Sequence, residues 1–150
     1  MFYILRDLTC HSSPAAWGRR AINAYREYAA DCIIAEVNNG GDMVEHTLRT
    51  IDANAPYKSV HASRGKRARA EPVAALYEQG RVRHVVGFDG APSKEMDDLE
   101  SEMCNFVPGN MDRSPDRVDA LVWAMTELAF EPQVQETIYI YEDRVHISPY

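Results

Sequence analysis

The run CIIAEV, residues 32–37, constrains the fold more than any other stretch, because its apolar residues do not alternate with polar ones. A strand with one wet face alternates, whereas a short continuous apolar run is covered on both faces, as in a parallel sheet between layers of helices. NNGG follows it directly and supplies the turn into a next helix, expected near Asp42 to Ile51. The flanks repeat the pattern. FYILRD, residues 2–7, reads as a strand, and Ser12-Ser13-Pro14 then caps a helix to about Ala30, in which Trp17, Ala21, Ala24, Tyr25 and Tyr28 recur at helical spacing. Downstream come a strand near Lys58 to Ala62, a helix started by Pro72 and stopped by Gly80, an extended RVRHVVGF and a short helix in DDLESEMCNF. Strands alternating with helices indicate an α/β fold with a largely parallel sheet. The tail departs from this: Thr137 to Tyr141 and Arg144 to Ser148 are two β-rich runs joined at Glu142-Asp143, a turn without the favoured glycine.

At 150 residues the chain is the size of one domain. No apolar run approaches the roughly 18 residues of a membrane span, and MFYILRDLTC lacks the basic and long apolar regions of a signal peptide, so a cytoplasmic protein is expected. Cys10, Cys32 and Cys104 stand apart without ligand spacing and read as reduced thiols, Cys32 as a buried one. The net charge of −7 argues against a basic coat for nucleic acid. RGKRAR, residues 64–69, is nevertheless a local basic patch. It has two readings: a solvated loop and helix start, or an edge on which Arg64, Lys66, Arg67 and Arg69 contact phosphates.

SPDRVDALVWAMTEL, residues 114–128, begins as a capped helix, with Ser114 as N-cap, Pro115 at the first helical position and Asp116 at the positive end of the macrodipole. Capping does not explain Asp119, which lies on the shoulder of an apolar stripe made by Val118, Leu121, Val122, Met125 and Leu128. Residues three apart on a helix are neighbours, so these carboxylates either share a cation or are solvated helix-start acids. Glu36 closes the CIIAEV strand, where it either simply reaches solvent or faces a site, since ligands of open α/β sheets bind outside the carboxyl ends of the strands. If the helix packs there, Glu36, Asp116 and Asp119 converge as hard oxygen ligands suited to Mg2+ or Mn2+, and a metal pair about 4 Å apart activates water at a phosphodiester. Acids for metal beside bases for phosphate suggest a nuclease. His84 reads as a satisfied sheet histidine, and Trp17 and Trp123 as core or interface.

AEVNNGGDMV, SRGKRARAEPVAALYEQGRVRHV, LESEMCNF and SPDRVDALVWAMTEL, in this order, resemble the C-terminal nuclease domain of large terminase subunits, the DNA-packaging proteins of tailed bacteriophages and related prophages. The resemblance runs from about Phe2 to Leu128. It implies an RNase H-like, RuvC-type mixed sheet flanked by helices over residues 1–130, with residues 131–150 as a β-rich tail. It also implies Mg2+- or Mn2+-dependent endonucleolytic cleavage of double-stranded DNA during genome packaging in the host cytoplasm, with the portal and the small terminase subunit as partners. Glu36 matches the family's strand-end acid, Asp119 its helix acid and Asp116 a neighbouring position. The family's first aspartate lies on a strand upstream of the one FYILRD resembles, so the first strands are expected to be absent, as in a fragment, a remnant or a split gene. No phosphate-binding GxxxxGK[ST] motif occurs. A site short of that first aspartate is expected to bind Mg2+ poorly, so cleavage is expected to be impaired. The alternatives are a non-catalytic DNA-binding or packaging-interaction module and an unrelated α/β protein.

Three structural expectations follow. The three acids form one unpaired cluster, so Asp119→Asn costs little stability. The four basic residues face phosphate. The tail pairs with an exposed sheet edge, within the chain or by strand exchange in a homo-oligomer.

Overall fold

A computed structural model describes residues 1–37, 41–87, 90, 92–106 and 115–131. In chain order these hold β1 (Phe2–Ile4), α1 (Pro14–Glu27), β2 (Ile33–Glu36), α2 (Gly41–Ile51), β3 (Tyr57–Val60), α3 (Lys66–Glu78), β4 (Val82–His84), α4 (Lys94–Cys104) and α5 (Asp116–Phe130). The expected alternation is present and both strand pairings are parallel. β2 lies against β3 with Ile33 opposite Tyr57 and Glu36 opposite Val60, and β1 lies against β4 with Phe2 opposite Val82 and Ile4 opposite His84. Among the described residues these are two separate two-stranded sheets.

Two apolar clusters hold the elements. In one, α1 and α2 pack Ile22 and Leu48, both essentially inaccessible, with Trp17, Tyr25, Ile33 and Tyr57 around them. The helices approach closely at Gly18, where a Cβ would meet Ile51 Cδ1 and Thr47 Cγ2 at 2.8 Å. The other cluster joins α3, β4, α4 and α5 through Val73, Leu76, Val82, Met96, Leu99, Val118, Leu121, Val122 and Met125. Four members of the stripe expected on α5 are buried, but Leu128 is exposed.

α5 runs back along the strands. Its first turn meets the end of the β1 segment, where Arg117 bonds buried Asp7, while further along Trp123 bonds Glu36 and Glu127 bonds Lys58 near the start of β3. The carboxyl ends of β1 and β2 therefore lie toward the start of α5, and their beginnings toward its end.

Several boundaries differ from the sequence reading. Pro72 lies inside α3, which begins six residues earlier at Lys66 after Gly65. Proline within a helix removes one backbone donor and crowds the preceding turn; Pro72 stands in the middle of α3 on its exposed side, and Val73 and Leu76 bury the inner face. The stop at Gly80 is as expected. At φ +65° it lets Gly80 N–H reach the Tyr77 carbonyl and Arg81 N–H the Leu76 carbonyl, which closes the last turn. Pro115 occupies the cap of α5 rather than its first helical position, and the first-turn N–H of Val118 finds its acceptor in Glu102 of α4, at 2.9 Å. Cys32 is half-buried rather than buried. The turn at 38–40, the N-cap residue Ser114 and both β-rich runs of the tail lie outside the described residues.

Candidate functional site

The helical start of α3 decides what the basic segment does. Lys66, Arg69, Val73 and Leu76 stand three or four residues apart and share one face of the helix. Burial of Val73 and Leu76 against α5 therefore turns Arg69 and Lys66 toward that helix as well. Arg64 and Arg67 remain exposed.

A cleft of about 990 Å3 opens beside β2 and α5, and Glu36, Asp116, Asp119, Lys66 and Trp123 line it. The three acids line the same cleft, but among the described residues they are not gathered into one unpaired cluster. Arg69 Nη2 donates to Asp119 Oδ1 at 3.2 Å, and Arg69 Nη1 stands 3.7 Å from Glu36 Oε1. The Arg69 side chain is only 9% exposed, and its guanidinium carbon lies 4.9 Å from the centre of the Trp123 ring. Trp123 in turn donates its indole N–H to Glu36 Oε2 at 2.9 Å. Lys66 Nζ reaches Asp119 Oδ2 at 2.5 Å. One guanidinium therefore bridges the strand-end acid and the helix acid, with the indole holding both it and Glu36. Asp116 is exposed at the rim.

This arrangement corrects two expectations. Asp119 and Glu36 are compensated, not mutually repelling. Of the four basic residues expected on phosphate, Arg69 is enclosed and Lys66 is engaged with Asp119; the remaining two, Arg64 and Arg67, are exposed, and Arg67 pairs with Glu71 at i,i+4. Neither Arg69's burial nor its bridging is written in the spacing of RGKRAR once Pro72 is taken as a helix start. The signal available was the 66, 69, 73, 76 periodicity.

The donor set in this arrangement does not fit a divalent ion. Both inner acids already accept from nitrogen donors, and among the described residues no group of three His, Cys, Asp or Glu side chains is placed to hold an ion.

Asp7, at the end of FYILRD, has a structural task. Its Oδ1 accepts from Thr9 N–H at 2.8 Å and from the Thr9 hydroxyl at 2.6 Å, and its Oδ2 pairs with Arg117. His84 is satisfied on both ring nitrogens, by Tyr77 Oη at 2.7 Å and Glu100 Oε1 at 2.8 Å. Burial, aided by the charge of Glu100, pushes the Tyr77 hydroxyl up to about 12.

A parallel β2–β3 pair between helical layers, with acids at the carboxyl end of β2 and on the helix that crosses it, is an arrangement that many α/β folds share. What decides among them is the match of residues 2–128, more than half of the chain, to the terminase RNase H-like domain. The chain belongs to that family. No curated protein and no solved structure matches it. A terminase RNase H-like domain is a nuclease-type module, in line with the mixed α/β architecture described above. Among the described residues no helix is long and apolar enough to cross a membrane.

Proposed function

We propose that this chain is the nuclease module of a phage DNA-packaging terminase, with double-stranded DNA as its substrate class and the Glu36, Asp116 and Asp119 cleft as its site. Arg64 and Arg67 are its phosphate contacts. Nucleases of this type generally use a divalent metal such as Mg2+ or Mn2+, which the acids of this cleft, as they are paired, do not accommodate. In this chain by itself, cleavage is impaired. The observation that carries this reading is Arg69, whose guanidinium bridges Glu36 and Asp119 where a metal site would need their oxygens. Enclosed on Trp123, it has no low-cost exit, since moving it would leave two acids and a buried cation uncompensated. Trp123 and Arg69 thus fix the strand-end and helix acids in place, while Arg64 and Arg67 offer exposed charge near the cleft. The setting is the host cytoplasm, with the portal and the small terminase subunit as partners, as the family implies.

Supercoiled plasmid provides the test. The chain should retard duplex DNA at low salt and release it as salt rises, and should not nick plasmid in Mg2+ or Mn2+. Nicking that Asp119→Asn abolishes would show the site to be competent. Absence of DNA binding at low salt would remove DNA as the substrate class. The same bridging arginine also favours a second reading, a non-catalytic DNA-binding module, which a DNA-binding chain with no cleavage under any metal would support.

A further inference from the structure

Between β1 and α1 the chain alternates its side chains. Asp7 and Thr9 turn to one side, where Asp7 holds Thr9 and Arg117, while Arg6, Leu8, Cys10 and Ser12 face α1 across a cleft of about 590 Å3. α1 meets them with two rows of residues four apart, Ala16, Arg20, Ala24 and Arg19, Asn23, Glu27. The charge lining this cleft is three arginines and one acid, and that acid is already met, since Glu27 pairs with Arg6 at 3.5 Å with both side chains more than half exposed. Arg19 and Arg20 are exposed, and their side chains make no ion pair or hydrogen bond among the described residues. The chain has 23 acidic residues against 16 Lys and Arg, so two adjacent arginines stand without an acid although acids are plentiful. No residue of α1 lines the acid cleft beside β2 and α5. The arginine cleft is a separate surface.

We propose that this cleft is a second phosphate-binding surface, which holds the backbone of duplex DNA independently of Arg64 and Arg67; this rests on the reading of DNA as the substrate class. Three observations select that ligand. Every cation in the cleft is arginine, whose planar fork matches a phosphate at two oxygens, and the Ser12 hydroxyl and Asn23 amide add neutral donors of the kind that contact DNA backbones. Arg20 lies seven residues from Glu27, which holds Arg6, so the two positive points stand about 10 Å apart along the helix, the rise of about three nucleotides on one strand. A protein partner would be anchored by large apolar or aromatic side chains seated in a pocket, whereas Leu8 is the one large apolar residue among those lining this cleft.

The test uses the full chain and a short labelled duplex. Arg19→Ala with Arg20→Ala should weaken binding at low salt and flatten the dependence of log affinity on log salt by roughly two units, one for each lost contact. Arg26→Ala, on the same helix but paired with Asp52 and outside the cleft, should leave the slope unchanged. If the Arg19 and Arg20 variant keeps the wild-type slope, the proposal falls and the DNA reading stands; a wild-type chain that does not bind duplex at low salt removes both. An equal loss of slope per charge in Arg26→Ala would make the effect one of net charge and overturn the site. A local measurement needs no substitution, because Cys10 lines the cleft and Cys104 stands exposed on α4. Saturating duplex should slow alkylation of Cys10, read by peptide mass spectrometry, by about threefold or more and leave Cys104 unchanged. An unprotected Cys10 overturns the proposal. Protection by polyglutamate but not by duplex assigns the cleft to an acidic protein and overturns it as well.

Discussion

Replacing Asp119 by asparagine keeps the size of the side chain and removes its charge, which separates two accounts of the cleft. Were the acids an uncompensated cluster, neutralising one would relieve repulsion and leave stability unchanged or raised. In the structure Asp119, with a side chain 15% exposed, accepts from Arg69 and Lys66, and Arg69 is 9% exposed. Removing one partner of a buried ion pair costs about 3–5 kcal/mol, because the other charge stays behind. Two features reduce this. Arg69 keeps Glu36 at 3.7 Å, and the pair to Lys66 is half in solvent and worth little. The expected loss is therefore about 2–3 kcal/mol, and at about 3 °C per kcal/mol for a chain of this length the melting temperature should fall by about 6–9 °C. Urea unfolding followed by the fluorescence of Trp17 and Trp123 and by circular dichroism would measure it. Combining Asp119→Asn with Arg69→Met should recover part of the loss, since the stranded cation goes too. A change below about 0.5 kcal/mol for Asp119→Asn, or a gain, would refute the bridged arrangement.

Other consequences are open to measurement. Arg64→Ala with Arg67→Ala should flatten the salt dependence of duplex binding by roughly two units, whereas Lys66→Ala should leave it unchanged; equal effects would return Lys66 to the phosphate edge. Gly18→Ala should destabilise by about 1–3 kcal/mol, since its Cβ would stand 2.8 Å from Ile51 and Thr47 side chains, and a neutral result in thermal unfolding would mean that α1 and α2 separate readily. Tyr77 titrates at about 12 when folded and near 10 when unfolded, so its contribution is complete below pH 10 and is lost as pH rises toward 12. Tyr77→Phe should shallow that alkaline decline, and an unchanged pH profile of unfolding would place the hydroxyl in water.

What could be read directly from the chain were features set by neighbours in sequence. The uninterrupted apolar run at 32–37 announced a doubly covered strand, and β2 lies between helical layers. Gly80 announced a helix end because few other residues hold φ +65° without strain. The 118, 121, 122, 125 spacing announced the inner face of α5, and Glu36 and Asp119 were singled out because a charge at the border of an apolar run is costly unless something meets it.

What met it was decided by tertiary structure alone. Local rules made Pro72 a helix start and left RGKRAR as a basic loop; burial of Val73 and Leu76 against α5 outweighed the cost of an internal proline, extended the helix back to Lys66 and swung Arg69 onto Trp123 between the two acids. Leu128 completes the stripe in sequence yet stands exposed, beside a groove that β1 and β2 also border. A local pattern states which residues avoid water or carry charge. It does not state which partner arrives from fifty residues away, since that depends on the summed packing of helices whose order in space no single segment encodes.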